Sequence, residues 1–122
     1  MTRLRSPAAW VLMAVLILVS ACDVMAIGKS GVPLEVRTQL GKQASFDPIN
    51  IAAPASTQVA LAFTNVSALE HNLVFLEPLT VRTREIIRPG EWERLEFRTP
   101  EVGSYEFVCT IHEGMAGTLV VH

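Results

Sequence analysis

The sequence predicts an all-β fold, a Greek-key β-sandwich of seven or eight short strands, and three observations predict it. Apolar and polar residues alternate with period two in several short runs, as in half-buried strands. No run after residue 30 shows the 3.6-residue period of an amphipathic helix. Turn-forming Gly, Pro, Asn and Asp recur at regular spacing, the pattern of two packed sheets. The chain has 122 residues, which suits one domain.

In order, Leu34, Val36 and Thr38 alternate with Glu35, Arg37 and Gln39, and Gly41-Lys42 turns the chain. Phe46 and Ile51 are core anchors, and Pro48 between them marks an edge or a bulge. After a turn at Ala53-Pro54-Ala55, Gln58 to Val66 is a strand with Val59, Leu61 and Phe63 on one face. Asn65-Val66-Ser67 matches a glycosylation sequon, but the bacterial type of the export signal described below argues against its use. Leu69 to Leu76 reads as a buried strand, and Thr80 to Arg88 as a polar strand on the solvent side. Arg88-Pro89-Gly90-Glu91 has the Pro-Gly order of a type II turn. Leu95 and Phe97 alternate with Arg94, Glu96 and Arg98. Tyr105, Phe107 and Cys109 share one face of the penultimate strand, and Leu119 to Val121 closes the domain. Arg82, Arg84 and Arg88 read as a solvated face. Tyr105 reads as a structural corner with its hydroxyl on nearby backbone.

The first residues are of another kind. Arg3 and Arg5 precede an unbroken apolar run, Ala8 to Val19, followed by Ser20-Ala21-Cys22. That is a basic region, an apolar region and a small-residue cleavage site. Val19-Ser20-Ala21-Cys22 resembles the bacterial lipobox, in which the Cys is lipidated and becomes the first mature residue. The uncharged run between Arg5 and Asp23 is shorter than the roughly 20 residues needed to span a bilayer. The expected organisation is a lipoprotein-type signal peptide over 1–21, the lipidated Cys22 and a flexible tether over 22–32, and the domain over 33–122. The expected location is a bacterial cell membrane, lipid-anchored and facing the periplasm or cell exterior. Arg3 and Arg5 are lost with the signal, so the remainder carries 12 acidic residues against 8 of the 10 basic ones, a net charge of −4. It has no basic patch, so nucleic acid is not an expected partner.

With Cys22 assigned to lipid, Cys109 is the one thiol left in an oxidising compartment, and it needs a reason. A buried inert thiol is one reason. Its neighbours supply another: Cys109-Thr110-Ile111-His112-Glu113-Gly114-Met115 places a thiolate, an imidazole and a thioether within seven residues, between two strand-like runs. These soft and borderline donors suit copper. A blue-copper centre needs two His, one Cys and a weak axial Met, so the loop lacks one imidazole. The candidates are His71 and His122. His122 is terminal and expected to fray. His71 lies in the apolar run Leu69 to Phe75, where a histidine is ordinarily a core residue. Beside a loop short of one imidazole, it reads as a ligand.

From Phe46 to His122 the chain resembles the cupredoxins, the small blue-copper proteins that include plastocyanin, azurin, pseudoazurin and amicyanin. The resemblance rests on Phe46-x-Pro48-x-x-Ile51, His71-Asn72, Gly103-Ser104-Tyr105, the approach Tyr105 to Thr110, and the short Cys-x-x-His-x-x-Met loop, which is amicyanin-like. It implies one type 1 copper bound by His71 and His112 through Nδ1, by Cys109 through a short thiolate bond, and by Met115 as a long axial contact. It also implies that Asn72, outside the ligand set, ties the His71 strand to the loop and donates from its backbone toward the sulfur. Two residues depart from the pattern. Ile111 stands where short-loop relatives often have Pro, and Glu113 follows His112 where an apolar residue is common.

The function implied is that of a membrane-tethered, monomeric carrier of single electrons, not an enzyme. Its donor and acceptor would be redox proteins such as a cytochrome, a dehydrogenase or an oxidase. The alternative is an extracytoplasmic copper chaperone or storage protein. Against it, two of the four Met (Met1 and Met13) lie in the signal, so there is no Met-rich tail. A structural module with a relict site is the third class. No role for Trp92 follows from the sequence.

Overall fold

A computed structural model describes residues 31–122. The expected signal peptide, the lipidation site Cys22 and the tether up to residue 30 lie outside the described residues. Eight strands follow in chain order: β1 (Val32–Thr38), β2 (Phe46–Asp47), β3 (Asn50–Ala53), β4 (Gln58–Thr64), β5 (Val74–Phe75), β6 (Trp92–Arg98), β7 (Gly103–Val108) and β8 (Ala116–Val121). They form two four-stranded sheets, ordered β2-β1-β4-β6 and β3-β8-β7-β5. The predicted β-sandwich of seven or eight strands is therefore the observed fold, with eight strands.

The period-two runs explain the packing. Val36 on β1, Val59, Leu61 and Phe63 on β4, Leu95 and Phe97 on β6, Phe107 on β7 and Leu119 and Val121 on β8 all turn into one core. Most of their chain neighbours lie on the other face, exposed or half-buried, because successive side chains of a strand alternate sides, although Ala60 between Val59 and Leu61 is buried as well. Phe107 is at the centre, with Phe46 and Phe75 edge-on at centroid distances of 5.0 and 5.4 Å. Pro48 marks the place where the chain changes sheets: β2 edges one sheet and β3 the other. Gly90 has φ +83° and the Glu91 N–H donates to the Arg88 carbonyl at 2.9 Å, the expected turn. The Tyr105 hydroxyl donates to the Glu101 carbonyl at 2.7 Å, the expected corner. Arg84 pairs with Glu91 and Glu93, and Arg88 with Glu70, all at the surface.

Three expectations are corrected. The strand over Leu69–Leu76 shrinks to Val74–Phe75, and Thr80–Arg88 is not a strand. The two segments do run side by side: His71 and Ile87 exchange both backbone hydrogen bonds, and the Thr83 N–H reaches the Leu73 carbonyl at 2.9 Å. Side chains interrupt the ladder. Thr83 Oγ1 accepts the Leu73 N–H and Asn72 Nδ2 takes the Glu85 carbonyl, so backbone groups bond side chains instead of one another. Val32 is in β1, and Gly31 is packed against the backbone of Gln58, where a Cβ would collide. His122 does not fray. Its N–H donates to Ala53 and its carbonyl accepts from Ala55, which anchors it at the end of β8 away from the Cys109 loop.

Candidate metal centre

Three strand ends build the site. β7 delivers Cys109 one residue past its end, β8 begins one residue after Met115, and the segment before β5 brings His71. The intervening loop is closed by its own backbone. The Cys109 N–H donates to the Met115 carbonyl at 3.0 Å, and the Met115 N–H donates to the His112 carbonyl at 3.4 Å. That second bond spans a turn with Gly114 at φ +80°. A Cβ on Gly114 would meet nothing within 4 Å, so backbone conformation, not space, selects glycine there. Glu113 and Ile111 are exposed, and His112 is half-buried.

His71, Cys109 and His112 converge, with all their candidate ligand atoms within 4.8 Å of one another. Cys109 Sγ lies 3.8 Å from His71 Nδ1 and 3.8 Å from His112 Nδ1. With a metal about 2.3 Å from sulfur and 2.0 Å from nitrogen, an angle of about 110–120° puts the two donors about 3.5–3.7 Å apart. The spacing is thus close to that of donors sharing one metal ion, and two imidazoles with one thiolate are the equatorial donors of a blue-copper site. Met115, also buried, lies in the same closed loop. Together the four residues form a group able to bind one copper ion.

Burial, and secondarily the nearby His112, hold the His71 pKa below its usual 6.5. His71 is therefore neutral at pH 7, with a lone pair for a metal. The shift also has a sign for stability. At pH above 6.5 both folded and unfolded chains keep His71 neutral. As the pH falls below that value, the unfolded chain takes up a proton that the folded chain resists, so folding is disfavoured. Thermal melts of the metal-free protein should show a lower Tm at pH 5 than at pH 7.5, with a smaller drop for His71→Gln. Equal drops in the two proteins would show that another group is responsible.

Asn72 bridges the His71 segment and the Cys109 loop. Its Oδ1 accepts the Thr110 N–H at 2.8 Å, and its Nδ2 donates to Thr110 Oγ1 at 2.7 Å and to the Glu85 carbonyl at 3.0 Å. One amide thus fastens the residue after His71 to the residue after Cys109. The bonds seen at Asn72 go to Thr110 and Glu85 rather than to the sulfur.

Sequence reasoning missed a second support. Thr38, Asn65 and Ser67, all buried, form a polar cluster behind His71. Asn65 Nδ2 donates to the Leu69 and Ile87 carbonyls at 2.7 and 2.8 Å, so no hydrogen or space is left for a glycan. Asn65 Oδ1 accepts from Thr38 Oγ1 and from the Ser67 N–H. The sequence signal was present as Asn65-x-Ser67, but it matched a modification motif instead of a buried turn.

The sequence pattern of the cupredoxin-like domain matches residues 10–121. The chain belongs to the cupredoxin-like family. Solved cupredoxins share its fold. Auracyanin from Roseiflexus castenholzii aligns over 76% of this chain and 98% of its own, at 21% identity and a TM-score of 0.66. Auracyanin B aligns over 74% and 88%, at 25% identity and a TM-score of 0.67. Auracyanin A from Chloroflexus aurantiacus, described as a blue copper protein, aligns over 75% and 98%, at 22% identity and a TM-score of 0.57. None of the curated protein sequences compared matches this cupredoxin.

Proposed function

We propose that this cupredoxin is a carrier of single electrons, tethered to a membrane, with His71, Cys109 and His112 as equatorial copper ligands and Met115 as the axial one. The observation that carries the reading is the pair of Nδ1 atoms at 3.8 Å from one buried thiolate position. Copper bound there supplies a Cu(I)/Cu(II) couple. The protein's part is to hold its donors still. Asn72 and the closed loop fix Cys109, and the bonds exchanged with Ile87 fix His71. Donors that are already placed need little rearrangement when one electron arrives or leaves. The test is spectroscopic: the copper-loaded protein should be intensely blue, bleach with one reducing equivalent and recover on oxidation. A colourless protein that holds only Cu(I) and passes it to a metal-free acceptor would instead be a copper chaperone.

His112 is the exit for the electron in this reading, because it is the half-exposed member of the group. Ile111, its neighbour in the loop, and Ile86 are exposed, and Asn72 Nδ2 bonds both Thr110 and Glu85, the residues that precede them. Arg84 and Arg88 are engaged by Glu91, Glu93 and Glu70. Glu85 and Glu113 are in no ion pair among the described residues. An apolar contact with uncompensated carboxylates suits a redox protein with basic residues around its own exit edge. Electron transfer to a cationic partner should slow as salt rises, whereas a salt-independent rate would remove the electrostatic part of the proposal.

The tether follows from Val19-Ser20-Ala21-Cys22 and places the carrier at the outer face of a bacterial cell membrane. Cys22→Ser should move the protein from the membrane fraction to the soluble one; continued lipid labelling of that variant would sink the assignment.

A further inference from the structure

The hydrogen bonds behind His71 determine more than its position. Ser67 is buried, and three polar groups surround its hydroxyl. The Leu69 N–H lies at 3.0 Å, the Leu69 carbonyl at 3.1 Å and His71 Nε2 at 2.8 Å. A hydroxyl has one hydrogen to donate and two lone pairs to accept with. The Leu69 N–H occupies one lone pair. If the hydroxyl hydrogen goes to the Leu69 carbonyl, the remaining lone pair faces Nε2, and the imidazole must carry its proton there. All three valences are then used. The opposite arrangement turns the hydroxyl hydrogen to Nε2 and moves the imidazole proton to Nδ1. That proton would fill the space between Nδ1 and Cys109 Sγ, 3.8 Å away.

The hydroxyl is also held in place. The Ser67 N–H donates to both Thr38 Oγ1 and Asn65 Oδ1, at 3.1 and 3.0 Å. Thr38 Oγ1 in turn donates to Asn65 Oδ1 at 3.1 Å. Thr38 is the last residue of β1 and Asn65 follows the last residue of β4, so two paired strands of the opposite sheet set where Oγ sits.

We propose that Ser67 is a positioning residue: its hydroxyl fixes His71 as the Nε2–H tautomer and thereby presents the Nδ1 lone pair to the metal position before any metal arrives. The copper reading supplies the purpose of this device, but the tautomer is a property of the metal-free protein and is measured there. A bare apolar wall behind His71 would leave the two neutral tautomers to compete, and metal binding would have to select one of them.

The test is a long-range proton–nitrogen correlation spectrum of the metal-free, nitrogen-15-labelled protein, which separates the two tautomers by their ring nitrogen shifts. The wild-type protein should show His71 as the Nε2–H form alone. Ser67→Ala should show a mixture and a copper affinity lower by about 10-fold or more, the range found when partners of ligand histidines are removed. Ser67→Thr, which keeps the hydroxyl, should restore the single tautomer. A wild-type His71 protonated on Nδ1, or a Ser67→Ala protein with a pure Nε2–H tautomer and unchanged affinity, would overturn the proposal. The wild-type spectrum alone decides if the variants do not fold. A wild-type protein that never turns blue with copper would count against the copper reading while leaving the tautomer result intact.

Discussion

Cys109→Ala is expected to leave a folded domain that no longer turns blue at any copper concentration. The thiolate is the only sulfur anion in the group, and the intense colour of such sites comes from charge transfer between this sulfur and copper. The structural cost should be modest, about 1 kcal/mol, because a small buried thiol leaves only a small cavity. Copper held by His71, His112 and Met115 without a thiolate would absorb weakly. Visible spectra of the variant titrated with Cu(II) decide the matter, alongside circular dichroism to show that the sandwich persists. A surviving blue band would place the thiolate elsewhere and dismantle the site assignment.

Phe107→Ala is expected to give the largest loss of stability of any single core substitution considered. Phe107 is fully buried between Phe46 and Phe75, and its ring lies directly over Gly117, where a Cβ would collide with it. Removing a buried phenylalanine costs about 3–5 kcal/mol, against a typical total of roughly 5–15 kcal/mol. At about 4–8 °C per kcal/mol for a domain of this size, Tm should fall by at least about 12 °C. Copper affinity should fall as well, since Cys109 follows two residues later. Phe107→Leu should cost much less, because most of the cavity is refilled. A drop of under about 5 °C for the alanine variant would show that the three rings do not organise the core.

The strands that the sequence displayed best are those whose burial alternates cleanly. β1, β6 and the run through Tyr105 and Phe107 all show inward and outward positions that match their residue types. The pattern is legible there because each strand has one face on the core and one in water. The stretch from Leu69 to Arg88 was misread for the opposite reason. Its apolar residues suggested a continuous buried strand, but Asn72 and Thr83 take backbone partners with their side chains. Composition shows that such residues are present; it does not show which backbone group each will reach. Asn65-x-Ser67 is the same case. Three residues of ordinary polar type become a buried cluster only because Thr38, twenty-seven positions before Asn65, is brought against it.

By itself the sequence indicated the class of fold and all four candidate donors, three of them in one local loop. Alternation of period two is a local property of a pleated strand, and the Cys109-x-x-His112-x-x-Met115 loop is local too, since one tight turn places its side chains. Only the tertiary structure decided how His71 reaches that loop from 38 residues away. That depends on the pairing of β7 with β5 and on the hydrogen bonds between Asn72 and Thr110, whose partners are distant along the chain. A local pattern can propose a ligand of the right chemistry, but the distances of 3.8 Å that make three side chains one site exist only once two sheets have packed around Phe107.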